Sequence, residues 1–130
     1  MQSLKRDIID ITILVADASD SCCYLLTEIL EDTGIAIIRA RNGSDALKIC
    51  SENNRISMVL MDVMLPGMDG TDLINAIRKT GNDIIIIVIT SLIHESIRKK
   101  CYNAGCDDFI TKPIETEGFA DYITGWFARE

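Results

Sequence analysis

The sequence predicts an α/β fold in which one doubly wound, five-stranded parallel sheet carries helices on both faces. Short β-branched apolar runs, typical of strands covered on both sides, alternate with segments whose apolar residues recur at helical spacing. Strands that alternate with helices imply right-handed crossovers and parallel pairing. A chain of 130 residues with 48% hydrophobic residues is long enough for one core and leaves no stretch for a second domain.

The predicted strands are short apolar runs that end at polar residues. The fourth run is six consecutive isoleucine and valine residues, which makes it the best candidate for a central strand. In chain order, the strands are predicted over residues 11–16, 35–40, 57–61, 84–89 and 108–111.

Each predicted helix is a stripe of apolar residues at spacings of three and four, which indicates one buried face. Gly34 and Gly105 are stop signals after the first and fourth helices, and Gly81-Asn82 ends the third. In chain order, the stripes are Cys22, Leu25, Leu26, Ile29 and Leu30; Ala46, Ile49 and Cys50; Leu73, Ala76 and Ile77; Ile97, Cys101 and Ala104; and Phe119, Tyr122, Ile123, Trp126 and Phe127.

Charge and hydropathy limit the partners and the location that we expect. Lys and Arg number 13 and Asp and Glu number 20, and the resulting net charge of −7 is repelled by nucleic-acid backbones and anionic lipid. The longest aliphatic run, residues 84–89, is far shorter than the ~20 residues that span a bilayer, and acidic residues interrupt the apolar stretch near the N-terminus. We therefore expect a cytoplasmic domain without nucleic-acid binding or membrane insertion, whose five cysteines are free, buried thiols.

Four polar residues follow four of the predicted strands. Asp17 follows the first strand, Asp62 the third, Thr90 the fourth and Lys112 the fifth. Open parallel sheets bind ligands beyond the carboxyl ends of their strands, so these side chains are expected to meet at one edge. Two carboxylates, a hydroxyl and an ammonium suit phosphoryl chemistry. In such chemistry one carboxylate accepts the phosphoryl group, the hydroxyl and the ammonium bond the phosphoryl oxygens, and Mg²⁺ lies between the negative charges.

Helix capping is the alternative interpretation of the acidic residues. Asp17, Asp20 or Ser21 would cap the first helix, and Asp69 or Thr71 the third. Each residue alone fits capping better than chemistry. Capping does not explain why four of the five strand ends carry Asp, Asp, Thr and Lys.

The chain resembles the receiver domain of two-component response regulators over residues 11–128. Four segments carry the resemblance, namely I-L-V-A-D at 13–17, M-D-V-M-L-P-G-M-D-G at 61–70, I-T-S at 89–91 and F-I-T-K-P at 109–113. It implies a flavodoxin-like (βα)5 fold, with residues before 11 as an N-terminal extension or linker (1–10). The chain would be a single-domain regulator or a piece of a larger protein such as a hybrid sensor histidine kinase.

The resemblance also implies a role for each residue at the strand ends. Asp62 would accept a phosphoryl group from a histidine kinase or a phosphotransfer protein. Mg²⁺ would be held by Asp17, Asp62 and the backbone carbonyl of Met64. Thr90 and Lys112 would bond the phosphoryl oxygens.

Signal transmission in this family implies one further position and one peptide bond. Phe109 matches the aromatic switch position, which would move together with Thr90 on phosphorylation. The bond between Lys112 and Pro113 is usually cis. The chain would thus act by conformational change, not as an enzyme beyond its own phosphotransfer and dephosphorylation; whether it forms a homodimer is left open.

One residue departs from the pattern of receiver domains. The acidic pair after the first strand reads Asp17-Ala18 here, so Ala18 stands where a carboxylate usually contacts the metal. Fewer carboxylates attract Mg²⁺ less, and we expect weaker Mg²⁺ binding and slower phosphotransfer. Asp20 lies close in sequence, and we do not expect it to ligate the metal directly.

Three other functions compete with phosphoacceptance. A pseudo-receiver that binds partners without phosphorylation is suggested by Ala18, although Asp62, Thr90 and Lys112 are all present. A phosphatase of the haloacid-dehalogenase type needs an acid two residues after its nucleophile, where this chain has Met64. A dinucleotide or flavin binder is disfavoured because the sequence has neither G-x-G-x-x-G nor a P-loop.

Overall fold

The computed structural model describes residues 10–53, 55–81 and 83–128, which form one parallel sheet with helices on both faces. The strands are β1 (Thr12–Ala16), β2 (Ala36–Ala40), β3 (Ile56–Met61), β4 (Ile85–Thr90) and β5 (Asp108–Thr111). The helices are α1 (Asp20–Leu30), α2 (Gly43–Glu52), α3 (Gly70–Lys79), α4 (Glu95–Ala104) and α5 (Phe119–Ala128). Residues 1–9 lie outside the described part of the chain, so the predicted extension over residues 1–10 stays a prediction.

The sheet has the strand order β2-β1-β3-β4-β5, and every neighbouring pair is parallel. This arrangement confirms the predicted flavodoxin-like (βα)5 fold. The chain runs outward from β1 to β2 on one side and from β3 to β5 on the other. The carboxyl ends of β1 and β3 therefore flank the point where the direction of winding reverses, which is where such sheets bind ligands.

Side chains from alternate strand positions build two cores, one on each face of the sheet. Leu14 and Ala16 of β1 belong to the core covered by α2, α3 and α4, whereas Ile13 and Val15 belong to the core covered by α1 and α5. The helices contribute unequally. Leu73, Ile74, Ile77 and Gly70 of α3 are buried, but Cys101 is the single buried residue of α4.

The apolar stripes predicted the helices well. The residues predicted to cap the helices were only partly correct. Ser19 is the N-cap of α1 and accepts a hydrogen bond from the amide of Cys22 at 3.2 Å, so the prediction of Asp17, Asp20 or Ser21 as this cap is wrong. The Asp17 side chain instead turns toward the strand ends. Asp69 does cap α3, since its carboxylate accepts from the amide of Thr71 at 2.8 Å.

Element boundaries differ from the prediction by a residue at several ends. The last turn of α1 tightens into a 3₁₀ helix over Glu31–Thr33, and Gly34 ends it with a positive φ of 83°. Gly105 ends α4 in the same way, at φ 118°. Asn82, predicted as part of the stop after α3, lies outside the described residues.

All five cysteines are free and buried, as predicted. Trp126 is half-buried and packs against the core beneath α1 and α5, as its helical stripe predicted. Over the described ranges, no helix is both long and apolar enough to cross a membrane.

Candidate functional site

Main-chain hydrogen bonds fix the residues that follow the strands. The amide of Asp17 donates to the carbonyl of the last residue of β2 at 3.1 Å, and that of Asp62 to the last residue of β1 at 3.0 Å. The amide of Lys112 donates to the carbonyl of Thr90 at 2.8 Å. The parallel ladder thus continues one step beyond each strand and holds these residues at a common edge.

The structure brings the four predicted side chains into direct contact. Lys112 Nζ lies 2.9 Å from Asp17 Oδ2 and 2.9 Å from Asp62 Oδ2, and Thr90 Oγ1 donates to Asp62 Oδ1 at 2.8 Å. Asp17, Asp62 and Thr90 retain 4%, 5% and 0% of their accessible surface. Two buried carboxylates therefore share one ammonium, and one of them also holds a buried hydroxyl.

The charges of the site compensate one another. Burial alone would lower the pKa of Lys112, but its hydrogen bonds to Asp62 and Asp17 and the charges of the two carboxylates outweigh burial and raise that pKa above the ordinary lysine value. Lys112 is consequently an ammonium at neutral pH. Because a buried carboxylate without a partner is costly, this cation offsets the burial of both acids at this edge.

Backbone amides complete the bonding of both carboxylates. The amide of Ser19 donates to Asp17 Oδ1 at 2.8 Å, and the amide of Met64 donates to Asp62 Oδ1 at 2.9 Å. The side chain of Met64 itself is exposed. Each carboxylate is therefore held on one oxygen by a local turn and on the other by Lys112.

A close backbone approach shapes the loop between β3 and α3. The amide of Gly70 donates to the carbonyl of Val63 at 3.2 Å, and a Cβ atom at Gly70 would lie 2.4 Å from Val63 Cα. No side chain fits in that space. Gly70 thereby lets α3 begin directly against the turn that carries Met64.

The residues predicted to act in switching lie at different depths. Thr90 is fully buried and bonded to Asp62, whereas Phe109 on β5 is half-buried against the core on the α4 side. The bond between Lys112 and Pro113 is cis. The predicted movement of Thr90 and Phe109 stays a prediction.

Sequence reasoning missed Arg39. Its Nη2 donates to the main-chain carbonyl of Asp17 at 3.0 Å, and its Nη1 lies 2.6 Å from Asp20 Oδ1. Arg41 also bonds Asp20 Oδ1, at 2.6 Å, and the hydrogen bonds from the two arginines lower the pKa of Asp20. The signal in the sequence was the spacing of Arg39 and Arg41 at the end of the second predicted strand, since residues two apart on a strand point to the same face.

The side chain of Cys22 borders the carboxylate of Asp17. Burial and, after it, this neighbouring negative charge raise the pKa of Cys22 to about 11. Cys22 and Lys112 also line a cavity of about 410 Å³ between α1 and the segment after β5. The thiol is therefore protonated at neutral pH and contributes no charge to the site.

The donor set fits Mg²⁺ with few protein ligands. Mg²⁺ is commonly bound through one or two carboxylates, with water and phosphate oxygens completing its shell, and Asp17 and Asp62 supply two. Ala18 is exposed and adds none, and Asp20 is engaged by the two arginines. Among the residues that the structure describes, no group of three or more His, Cys, Asp or Glu could hold a metal ion.

Comparison with known proteins identifies the family. The sequence profile of the response regulator receiver domain matches residues 13–124. The chain belongs to this family. It is 33% identical over 112 residues to the chemotaxis protein CheY of Halobacterium salinarum, which covers 86% of this chain and 92% of CheY. The crystal structure of a two-component response regulator from Clostridium difficile superimposes with a TM-score of 0.85 at 25% identity, over 92% of this chain and 97% of that one.

Some relatives of this receiver domain are longer proteins. The chain is 37% identical over 106 residues to a cyclic di-GMP phosphodiesterase of Thermotoga maritima, but these cover 82% of this chain and 28% of that protein. The chain spans less than half the length of several curated relatives. Receiver domains as a family are signalling modules, not enzymes in the ordinary sense; they interact with histidine kinases or phosphotransfer proteins and generally bind Mg²⁺ at the phosphorylation site.

Proposed function

We propose that this receiver domain is a phosphoacceptor that takes a phosphoryl group on Asp62 and relays the signal by conformational change. The observation that carries the proposal is the arrangement of Lys112 and Thr90 around Asp62, at 2.9 Å and 2.8 Å on its two carboxylate oxygens. A phosphoryl group on Asp62 would meet a cation and a hydroxyl donor already in place. Such preorganised donors stabilise charge on transferred oxygens without reorganisation.

The proposed transfer is a displacement at phosphorus. A carboxylate oxygen of Asp62 forms the new P–O bond as the P–N bond of a partner's phosphohistidine breaks, and the bonding electrons return to the imidazole, which takes up a proton. Lys112 exchanges one of its carboxylate contacts for a phosphoryl oxygen, and Thr90 does the same with its hydroxyl. Mg²⁺, held by Asp17, Asp62 and the carbonyl of Met64, would supply positive charge to the same oxygens.

The scope of the proposal follows the receiver-domain family. The phosphodonor would be a histidine kinase or a phosphotransfer protein in the cytoplasm, and the acting unit would be residues 11–128. Beyond its own phosphotransfer and dephosphorylation, no enzymatic activity is proposed.

A pseudo-receiver remains the second candidate because of Ala18. With one acid fewer, the site would hold Mg²⁺ through only two carboxylates, and a domain that binds partners without phosphorylation would tolerate that loss. The three contacts among Asp17, Asp62, Thr90 and Lys112 favour phosphoacceptance, since a pure binding module has no need of a half-buried lysine shared by two buried carboxylates.

Intact mass after incubation with a small phosphodonor and Mg²⁺ separates the two candidates. A phosphoacceptor gains roughly 80 Da, the mass of one phosphoryl group in aspartyl phosphate chemistry. The gain should be absent in Asp62→Asn and retained in Asp121→Asn, a matched change at an exposed acid on α5. A wild-type chain that gains no mass at any Mg²⁺ concentration supports the pseudo-receiver instead.

A further inference from the structure

Arg39 lies on β2, outside the four residues of the phosphorylation site, yet its guanidinium reaches the turn between β1 and α1. Nη2 donates to the carbonyl of Asp17 at 3.0 Å, while Nη1 lies 2.6 Å from Asp20 Oδ1. The Arg39 side chain is 19% exposed. One planar, rigid group thus holds two points of the turn at once, which a flexible ammonium would not do.

The turn that Arg39 holds determines where the carboxylate of Asp17 points. Asp17 is fixed at its amide by β2 and at Oδ1 by the amide of Ser19, and Arg39 bonds its carbonyl. The next residue, Ala18, has no polar side-chain atom with which to brace the turn. Arg39 therefore contacts the main chain at the point where Asp17 leads into Ala18.

Arg41 provides an internal comparison. Its Nη1 also lies 2.6 Å from Asp20 Oδ1, but its side chain is 64% exposed and its guanidinium bonds Asp20 without bonding Asp17. Both arginines therefore bring the same charge to the same carboxylate. Only Arg39 adds a contact to the main chain of a site residue.

We propose that Arg39 is a positioning residue of this site. It fixes the Asp17 carboxylate against Asp62 and thereby sets the affinity of the site for a divalent cation, which these two carboxylates would bind. The inference rests on the proposed function to the extent that this site binds Mg²⁺. Contacts behind a metal ligand commonly decide its orientation and the affinity for the metal. If Arg39 acted only through its charge, its removal would raise the affinity for Mg²⁺, because removing a cation near a metal site strengthens metal binding.

Mg²⁺ titration of the full chain, followed by the amide shifts of Ser19 and Met64, distinguishes a positioning role of Arg39 from an effect of its charge. Arg39→Gln should weaken Mg²⁺ binding by about tenfold, the lower end for residues that orient a metal ligand. Arg41→Gln should leave it unchanged or strengthen it by up to about twofold through the loss of one screened charge. Arg39→Lys keeps the charge without the planar fork and should also weaken binding. Equal strengthening in Arg39→Gln and Arg41→Gln would overturn the proposal.

Amide hydrogen exchange without metal provides a second readout that does not depend on the proposed function. The amide of Ser19, which donates to Asp17 Oδ1, should exchange faster in Arg39→Gln and at the wild-type rate in Arg41→Gln, with Ile87 of β4 reporting global stability. If Arg39→Gln does not fold, Arg39→Lys takes its place in both experiments. A wild-type chain that takes neither Mg²⁺ nor a phosphoryl group would refute the proposed function, whereas unchanged Ser19 exchange in a folded Arg39 variant would refute the positioning role.

Discussion

Replacing Lys112 by methionine would remove the one cation that the two site carboxylates share. Asp17 and Asp62 are 4% and 5% exposed, and each has an oxygen 2.9 Å from Nζ. Removing one partner of a fully buried ion pair costs about 3–5 kcal/mol. Because the Lys112 side chain is 21% exposed, water would solvate part of the uncompensated charge, and we expect a loss of about 2 kcal/mol in the free energy of unfolding at neutral pH.

The dependence of this loss on pH has a defined sign. In the wild type, the pKa of Lys112 is raised above the ordinary 10.5, so its stabilisation is complete below that value and is lost only as the pH rises through the higher folded-state pKa. Lys112→Met removes this stabilisation over the whole range in which the lysine is charged. The deficit of the variant should therefore be the same at about pH 7 and about pH 9, both below the ordinary lysine value of 10.5.

Urea unfolding, followed by fluorescence of the single tryptophan at about pH 7 and about pH 9, measures both the size of the deficit and its dependence on pH. Lys99→Met makes the same chemical change at an exposed position on α4 and should alter stability by less than about 0.5 kcal/mol. A Lys112→Met deficit that is no larger than that of Lys99→Met, or that changes between the two pH values, would refute the electrostatic reasoning.

Three further substitutions test other parts of the structure. Gly70→Ala should destabilise the domain by about 1–3 kcal/mol in thermal unfolding, since its Cβ would lie 2.4 Å from Val63 Cα; wild-type stability would contradict that packing. Tyr122→Phe removes the hydroxyl that donates to Asp108, and burial followed by this bond raises the pKa of Tyr122; we expect a loss of about 1.5 kcal/mol in urea unfolding, and no loss would mean that water replaces the hydroxyl. Ala18→Asp should tighten Mg²⁺ binding by about thirtyfold, the effect of one added negative charge at about 4 Å from a doubly charged ion in water, as measured by calorimetric titration; unchanged affinity would show that the turn does not aim this side chain at the site.

The fold could be predicted from the sequence because its signals are strong and regular. The six-residue Ile/Val run became the interior strand β4, and each helical stripe became a helix. The striped side chains pack into the two cores with one exception: on α3 it is Ile74, not the predicted Ala76, that joins Leu73 and Ile77 in the core. The sequence also predicted that four side chains would lie together, namely Asp17, Asp62, Thr90 and Lys112. Parallel strands place their carboxyl ends on one edge of the sheet whatever their exact register.

The contacts within the site were harder to predict because they depend on side-chain direction and reach. Sequence alone did not identify Ser19 as the cap of α1, since the neighbouring candidates Asp17, Asp20 and Ser21 are also residue types that cap helices. The reach of Arg39 to the carbonyl of Asp17 joins a residue of β2 to the residue that follows β1. Likewise, only the folded structure shows that Lys112 lies within hydrogen-bond distance of both carboxylates.

The anchoring of α4 has a consequence for how this domain can respond. Cys101 is the one fully buried side chain of that helix, and Ile97, Tyr102 and Ala104 are only partly buried against the core, whereas α3 buries several aliphatic side chains. A helix with so little insertion opens locally at a small fraction of the global unfolding free energy. The amides of α4 should therefore lose protection long before the strand ends do, and the surface around α4 can be remodelled while the chemical groups at the sheet edge keep their places.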